Sequence, residues 1–319
     1  MPSGKIYKYE DFIIAKKCFE AEVSTYYDEK HYNTIYKDEI KVLREDGSIL
    51  AVLKKNVIPE EDRETYKNII RTPARSKTKN RGSGAGYVDI RRFPKQAKSL
   101  CYGDGRELPH DKLVSVFYKD EEGKVVNRGQ SNQVRSGCAG YFDARGNLPC
   151  RKVSWSKNNI VKHDALIPLC KCIAEKHKEV DIKSYNLQKN RAELSKSYIF
   201  KDSIYSTLTL NYDFRTATHR DKGDFKAGLS TLTIFEDIPN NYTGFYLGLP
   251  EYKIAFDVRD GDVLFFDTHE LHSNTEYQVL SDKLGKNKLV DEKGKEDYYY
   301  GGRISIVAYL RERLYLCGD

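Results

Sequence analysis

In THRDKGD, residues 218 to 224, a histidine and an aspartate stand one residue apart, just after the run IYSTLTLNYDFRTA. On an extended chain, side chains two residues apart leave from the same face, so His219 and Asp221 project together while Arg220 turns away. An imidazole beside a carboxylate suits ferrous iron, provided a second imidazole arrives from elsewhere and coordination positions stay open. A histidine and an aspartate at an exposed strand end would look no different. The pair therefore needs support from the rest of the chain.

GDVLFFDTHELHSN, residues 261 to 274, offers two further imidazoles, His269 and His272. Their odd spacing sets them on opposite faces of a straight strand: His272 goes with Thr268 and Glu270, His269 with Leu271. Alternation admits either but not both. Further on, RISIVAYL begins with Arg303 and carries Ser305 on the same face. An arginine held inside a folded core is a costly charge unless it meets an anion. A guanidinium fork with a hydroxyl beside it suits a planar carboxylate. His-x-Asp, a distant His and Arg-x-Ser, in that chain order, point to non-haem iron with 2-oxoglutarate as co-substrate. Asn211 and Arg215 share strand parity with His219 and are candidates to touch the 2-oxoglutarate C1 carboxylate or the substrate. Asp224 is placed to accept a hydrogen bond that fixes the HRDKGD loop.

Strands must position these groups, and the second part of the chain supplies them. From Ser203 onward IYSTLTLNY, LSTLTIF, YKIAFDV, DVLFFDT and RISIVAYL follow one another, separated by turn signals such as RDGD and GLPEY. Too little helix lies between them for βαβ units, so an antiparallel barrel or double sheet is expected, in an α+β to mainly β chain. Upstream, apolar spacing predicts helices over 9–29, 60–70, 163–178 and 185–198. We expect residues 1–200 to form a helical and basic-loop elaboration packed on a catalytic core of residues 201–319. The charged stretch between His272 and Arg303 reads as an inserted loop near 278–300.

The 319 residues are 39% apolar and 12% aromatic, which excludes general disorder. No stretch has the length and apolarity of a membrane span, and the start lacks a signal-peptide core. The expectation is an intracellular monomer without a membrane partner; nucleus, cytoplasm and virus-infected cell all fit. Seven cysteines lack zinc-site spacing and are expected as reduced thiols, Cys138, Cys150, Cys170 and Cys172 included. The net charge is +7, a mild bias toward polyanions.

That charge is clustered. From Arg71 to Lys98 nine basic residues accompany one acid, and Arg75, Lys77, Lys79 and Arg81 lead into a glycine-rich turn. Such clustering is rewarded by counterion release on a phosphate backbone. The single tryptophan, Trp155, sits among Arg151, Lys152 and Lys157, where it could stack on an exposed base or anchor the core. An internal echo links GAGYVDIRRFP to CAGYFDARGNLP, with Arg81 matched by Arg135 and Arg91 by Arg145. It reads either as two ordinary glycine-rich turns or as two loops offering arginines and backbone donors to one polyanionic or carboxylate-bearing ligand.

Taken together, these motifs resemble the Fe(II)/2-oxoglutarate dioxygenase superfamily. LNYDFRTATHRDKGD followed by GLSTLTIF and GDVLFFDTHELHSN is most similar to its TET/JBP branch, over about residues 200 to 313. The resemblance implies a double-stranded β-helix (jelly-roll, cupin-like) core with N-terminal helices and elaborated loops. It implies Fe(II) on His219, Asp221 and His272, the later of the two candidate histidines. It also implies 2-oxoglutarate anchored by Arg303 with Ser305, and O2 as oxidant; Arg311 or Arg313 is the fallback anchor. The implied activity is hydroxylation of the methyl group of 5-methylcytosine or thymine in nucleic acid, DNA first. A buried iron cannot reach a methyl group inside a duplex, so the base must be extruded or single-stranded. The alternatives are a hydroxylase of a protein residue, amino acid or small metabolite, and a non-catalytic interaction module of the same fold.

Overall fold

The apolar runs after Ser203 form strands, and their alternation decides which face each residue serves. Thr207–Tyr212 pairs antiparallel with Arg303–Tyr309, which pairs antiparallel with Ser230–Glu236, which in turn pairs with Val263–Phe266. On one face Leu208, Leu210, Tyr212, Ile304, Ile306, Ala308, Phe235, Val263 and Phe265 pack against helices. The opposite face carries Asn211, Arg303 and Ser305 in register, with Asn211 across from Ser305. This is the face the chemistry requires.

The structure is a computed structural model that describes residues 7–8, 12–89, 100–101, 113–280, 288–290, 296–298 and 301–318. A second sheet runs Ser273–Asn274, Leu247–Leu249, Ile254–Phe256, Thr34–Tyr36. Its Leu247, Leu249, Ile254 and Phe256 join Leu232, Ile234, Leu264 and Phe266 of the large sheet in one apolar cluster. Two sheets thus close on each other, in the manner of the expected double-stranded β-helix, and the polar end of the gap between them holds the site. Most ladders are antiparallel; Thr34–Tyr36 on Ile254–Phe256 and Ile13–Ile14 on Val42–Leu43 are parallel.

Helix Glu60–Ala74 carries Glu60, Glu61 and Asp62 in its first turn and Arg71 in its last, the order the helix dipole favours. Its Tyr66, Ile69, Ile70 and Ala74 lie on the large sheet beside Leu169, Cys170, Ile173 and Ala174 of helix Ile167–Val180. Truncating a buried residue there, such as Ile70, costs about 2–5 kcal/mol. The neighbouring strand Val134–Phe142 fits because of two glycines. A Cβ on Gly137 would stand 2.2 Å from the Pro73 carbonyl oxygen, and one on Gly140, at φ +96°, 2.2 Å from that of Ser206.

Several expectations need correction. Residues 12–28 are not helical: Ile13–Ile14 is a short strand against Val42–Leu43, and Ser24 has φ +66°. A β-branched pair fitted to a sheet edge outweighs the helical spacing. The helix expected over 185–198 is Ile182–Ala192 followed by a 3₁₀ stretch, Glu193–Tyr198. Cys150 and Cys317 form a disulfide, so those two thiols are not free, whereas Cys101 and Cys170 are free and buried. Nor does a sheet boundary fall at residue 200, because Ile40–Leu43, Ile49–Lys54 and Val134–Phe142 extend the large sheet. Of the expected insertion, the described part beyond residue 280 is a hairpin, Lys288–Val290 with Glu296–Tyr298. Among the described residues no helix is long and apolar enough to cross a membrane.

Candidate active site

Past Tyr212 the chain leaves the large sheet and returns beside the small one, where His219 and His272 meet as an antiparallel bridge. Each backbone N–H donates to the other's carbonyl, both at 3.0 Å, and the Asp221 N–H donates to Thr268 at 2.9 Å. The side chains repeat this symmetry. His219 Nδ1 donates to the Ala217 carbonyl at 2.8 Å, and His272 Nδ1 to the Glu270 carbonyl at 2.9 Å. A carbonyl can only accept, so both rings carry their proton on Nδ1 and offer a lone pair at Nε2.

Those lone pairs converge. Asp221 Oδ1 lies 3.6 Å from His219 Nε2, and Asp221 Oδ2 lies 3.7 Å from His272 Nε2. All three ligand atoms fall within 4.8 Å of one another, the one such set of three among the described residues. His272 is buried; that burial, with His219 next in weight, pushes its imidazole down to about 4. It is therefore neutral near pH 7, the form that ligates. Two imidazoles and one carboxylate suit ferrous iron.

His269 stands apart. The turn at Thr268–Glu270 breaks the strand, and His269 Nδ1 instead lies 3.4 Å from Asp267. Asp267 and Glu270 are gripped by Arg44, and Glu270 also meets Lys17 at 2.7 Å. This ion-paired patch fixes the backbone that carries His272.

Arg303 is 2% exposed, and its Nε and Nη2 have no hydrogen-bond partner among the described residues. Its guanidinium stands 4.9 Å from the Phe245 ring. The nearby Asp213 carboxylate is engaged by the backbone N–H groups of Gly302 and Arg303. Burial pulls the guanidinium below its ordinary range. A buried cationic fork with two idle donors is a fitted receptor for a carboxylate. Ser305 and Asn211 adjoin it: Asn211 Nδ2 donates to Ser305 Oγ at 3.2 Å, and Ser136 Oγ donates to Asn211 Oδ1. Of the fallback anchors, Arg313 is exposed and Arg311 lies beside Gly223.

A cavity of about 490 Å³ is lined by the His-Asp-His set, Asn211, Ser305 and Asp224. Asp224 is buried, with Oδ2 accepting from Ser230 Oγ and Thr268 Oγ1, and burial followed by the Asp221 charge pushes its carboxyl upward. These bonds tie the end of the HRDKGD loop to Ser230 and Thr268. Arg215 is not in the lining: it pairs with Asp28, donates to the Asn274 carbonyl and lies over the Tyr26 ring. Strand parity fails there because the strand ends at Tyr212 and Asp213 has φ +45°.

The predicted nucleic-acid residues divide. Arg81 lines the cavity. Arg75 lies over the Tyr212 ring, and Lys77 and Arg135 face each other in a strand pair with exposed Lys79 close by, all outside the lining. Trp155 packs against the helical core and is not a stacking platform at the site. Arg91, Arg92, Lys95 and Lys98 lie outside the described residues. The glycine-rich turn expected after Arg81 is Gly82–Ala85; sequence reasoning missed that a Gly84 Cβ would sit 3.5 Å from the His219 ring, and that Arg145 and Arg311 stand in the lining. The echo motif was the available signal for Arg145. Its glycines, Gly86 and Gly140, both have positive φ, although the first copy follows a turn and the second lies in a strand.

Comparison with known proteins bears on this geometry. Residues 137–312 match the Tet/JBP family, described as the oxygenase domain of the 2OGFeDO superfamily. The bifunctional helicase and thymine dioxygenase JBP2 of Trypanosoma cruzi is 32% identical over 197 residues, covering 60% of this chain and 16% of that protein. The thymine dioxygenase JBP1 of Trypanosoma brucei brucei is 35% identical over 157 residues, 48% of this chain and 18% of that one. The chain thus spans less than a quarter of the curated relatives it matches. NgTET1 in complex with 5mC DNA is a structural neighbour at TM-score 0.45 and 16% identity, covering 86% of this chain and 77% of that one.

Proposed function

We propose, for a chain that belongs to the Tet/JBP family of 2OGFeDO oxygenase domains, that it hydroxylates the C5-methyl group of a pyrimidine base in DNA. Thymine is the first base to test, since matched relatives are thymine dioxygenases. The observation that carries the reading is the convergence of His219, Asp221 and His272 on one side of a cavity whose sheet also holds the idle guanidinium of Arg303.

When bound, ferrous iron and 2-oxoglutarate supply an O2-dependent oxidation that couples decarboxylation of the keto acid to hydroxylation of a C–H bond. The protein's part is placement. Ala217 and Glu270 carbonyls orient the two imidazoles, and Asp221 completes the ligand face. Arg303 receives the far carboxylate of 2-oxoglutarate, with Ser305 and Asn211 beside it. Phe266, in edge contact with His272 at 5.2 Å between ring centroids, joins Leu232 and Leu247 in the apolar part of the lining. A methyl group can approach ligands set inside such a cavity only on a base taken out of the duplex.

The test is nucleoside mass spectrometry after incubation with Fe(II), 2-oxoglutarate and oligodeoxynucleotides bearing thymine or 5-methylcytosine. The expected product is one oxygen atom heavier than its parent. Succinate formation without any modified nucleoside, on single and double strands alike, would remove the nucleobase reading and leave the oxygenase.

A further inference from the structure

A second cavity, of about 350 Å³, adjoins the first and shares Asn80, Arg81, Arg145, Tyr309 and Arg311 with it. Its charge is one-sided: Arg81, Arg145, Arg151 and Arg311 line it against a single carboxylate, Asp143. Three of these arginines are braced. Arg81 donates to Ser136 Oγ at 2.8 Å and to the Gly137 carbonyl at 3.2 Å. Arg311 lies 3.2 Å from Asp143 and 4.7 Å from the Phe142 ring. Arg151 donates to the Pro149 carbonyl and covers the same ring at 5.5 Å. Arg145 is different. It is exposed, at a tight backbone turn closed on Leu148, and its side chain has no partner among the described residues.

Guanidinium groups gathered around one hollow repel one another unless an anion stands between them, and the fork geometry favours phosphate oxygens. A base delivered to the metal ligands leaves its phosphodiesters on the solvent side of it, and exposed Arg145 and part-exposed Arg311 line both cavities. We infer that the side cavity is a phosphate subsite: Arg145, backed by Arg311, takes the phosphodiester on one side of the extruded nucleotide. Asp143 opposes the phosphate and orients Arg311. This inference rests on the nucleobase reading.

Two measurements test it on the full chain. First, binding of a labelled single-stranded oligodeoxynucleotide with one thymine is followed by fluorescence anisotropy over a salt series. Arg145→Ala should weaken binding roughly tenfold and lower the slope of log K against log salt by about 0.7, the share of one phosphate contact on a single strand. Lys171→Ala, the same charge change on an exposed turn of a distant helix, should leave the slope within error. Second, kcat/KM for that thymine is compared on oligonucleotides with a neutral methylphosphonate 5′ or 3′ of it. One of the two should slow wild type as Arg145→Ala does and slow the variant no further. Wild-type slope in Arg145→Ala, or losses that multiply on both methylphosphonates, would overturn the subsite. Wild type that binds no oligonucleotide at all overturns the nucleobase reading, and the subsite with it.

Discussion

Replacing Arg303 by methionine should separate stability from co-substrate binding. Methionine retains most of the side chain's length and apolar contact with Phe245 while removing the charge. In the protein without keto acid, Nε and Nη2 of Arg303 are desolvated and idle, and Asp213 spends its oxygens on backbone N–H groups. Exchanging buried ionic groups for well-packed apolar ones is often neutral or stabilising by about 1–4 kcal/mol. Without 2-oxoglutarate, Arg303→Met should therefore melt at or above the wild-type temperature. With it, two charge-assisted hydrogen bonds are missing, each worth about 1.5–3 kcal/mol, so the Kd should rise by roughly 10²–10⁴. The assay is thermal melting with and without the keto acid, plus calorimetric titration of 2-oxoglutarate into Mn(II)-loaded protein under nitrogen. Wild type should gain stability from the ligand and the variant none. A variant that melts far below wild type yet binds 2-oxoglutarate with unchanged affinity would refute the assignment of Arg303 as its anchor.

Asp221→Ala should abolish Mn(II) binding, read by calorimetry, while circular dichroism stays that of wild type, since Asp221 is a third exposed and its backbone N–H still donates to Thr268. Acid should destabilise the protein in a defined window. Burial holds the imidazoles of His163 and His177 down at about 4, against about 6.5 in an unfolded chain. The unfolded state then binds more protons between those values, so this part of the stability is complete above pH 6.5 and declines as pH falls toward 4. The limiting slope is about 1.4 kcal/mol per pH unit for each histidine, and His177→Gln should flatten the urea midpoint against pH over that window.

How much of this was legible can be argued residue by residue. His219 and Asp221 followed from two-residue alternation, and Arg303 with Ser305 from the cost of burying a cation, because each pair lies in locally extended chain. The choice between His269 and His272 did not follow. It depends on a turn at Thr268–Glu270 and on which residue meets His219 across a gap of 53 positions. Arg215 failed for the same reason, since one left-handed residue, Asp213, resets the parity on which the reasoning relied. The Ile13–Ile14 segment was misread because a pattern of period near four cannot reveal a sheet edge waiting elsewhere. Trp155 and the Arg75–Lys79 run showed that charge and aromaticity in sequence do not say which side of the molecule they occupy.

The hairpin of Ile40–Leu43 and Ile49–Lys54 zips onto Val263–Phe266, the strand that leads into the loop bearing His272. A chain cut back to the span matched by the family, from residue 137, would leave four apolar residues there with raw amides on their outer flank. Such a flank invites a copy of itself. Trimming the chain to that span would then yield stacked, insoluble material, and the hairpin serves as a built-in stopper against self-association.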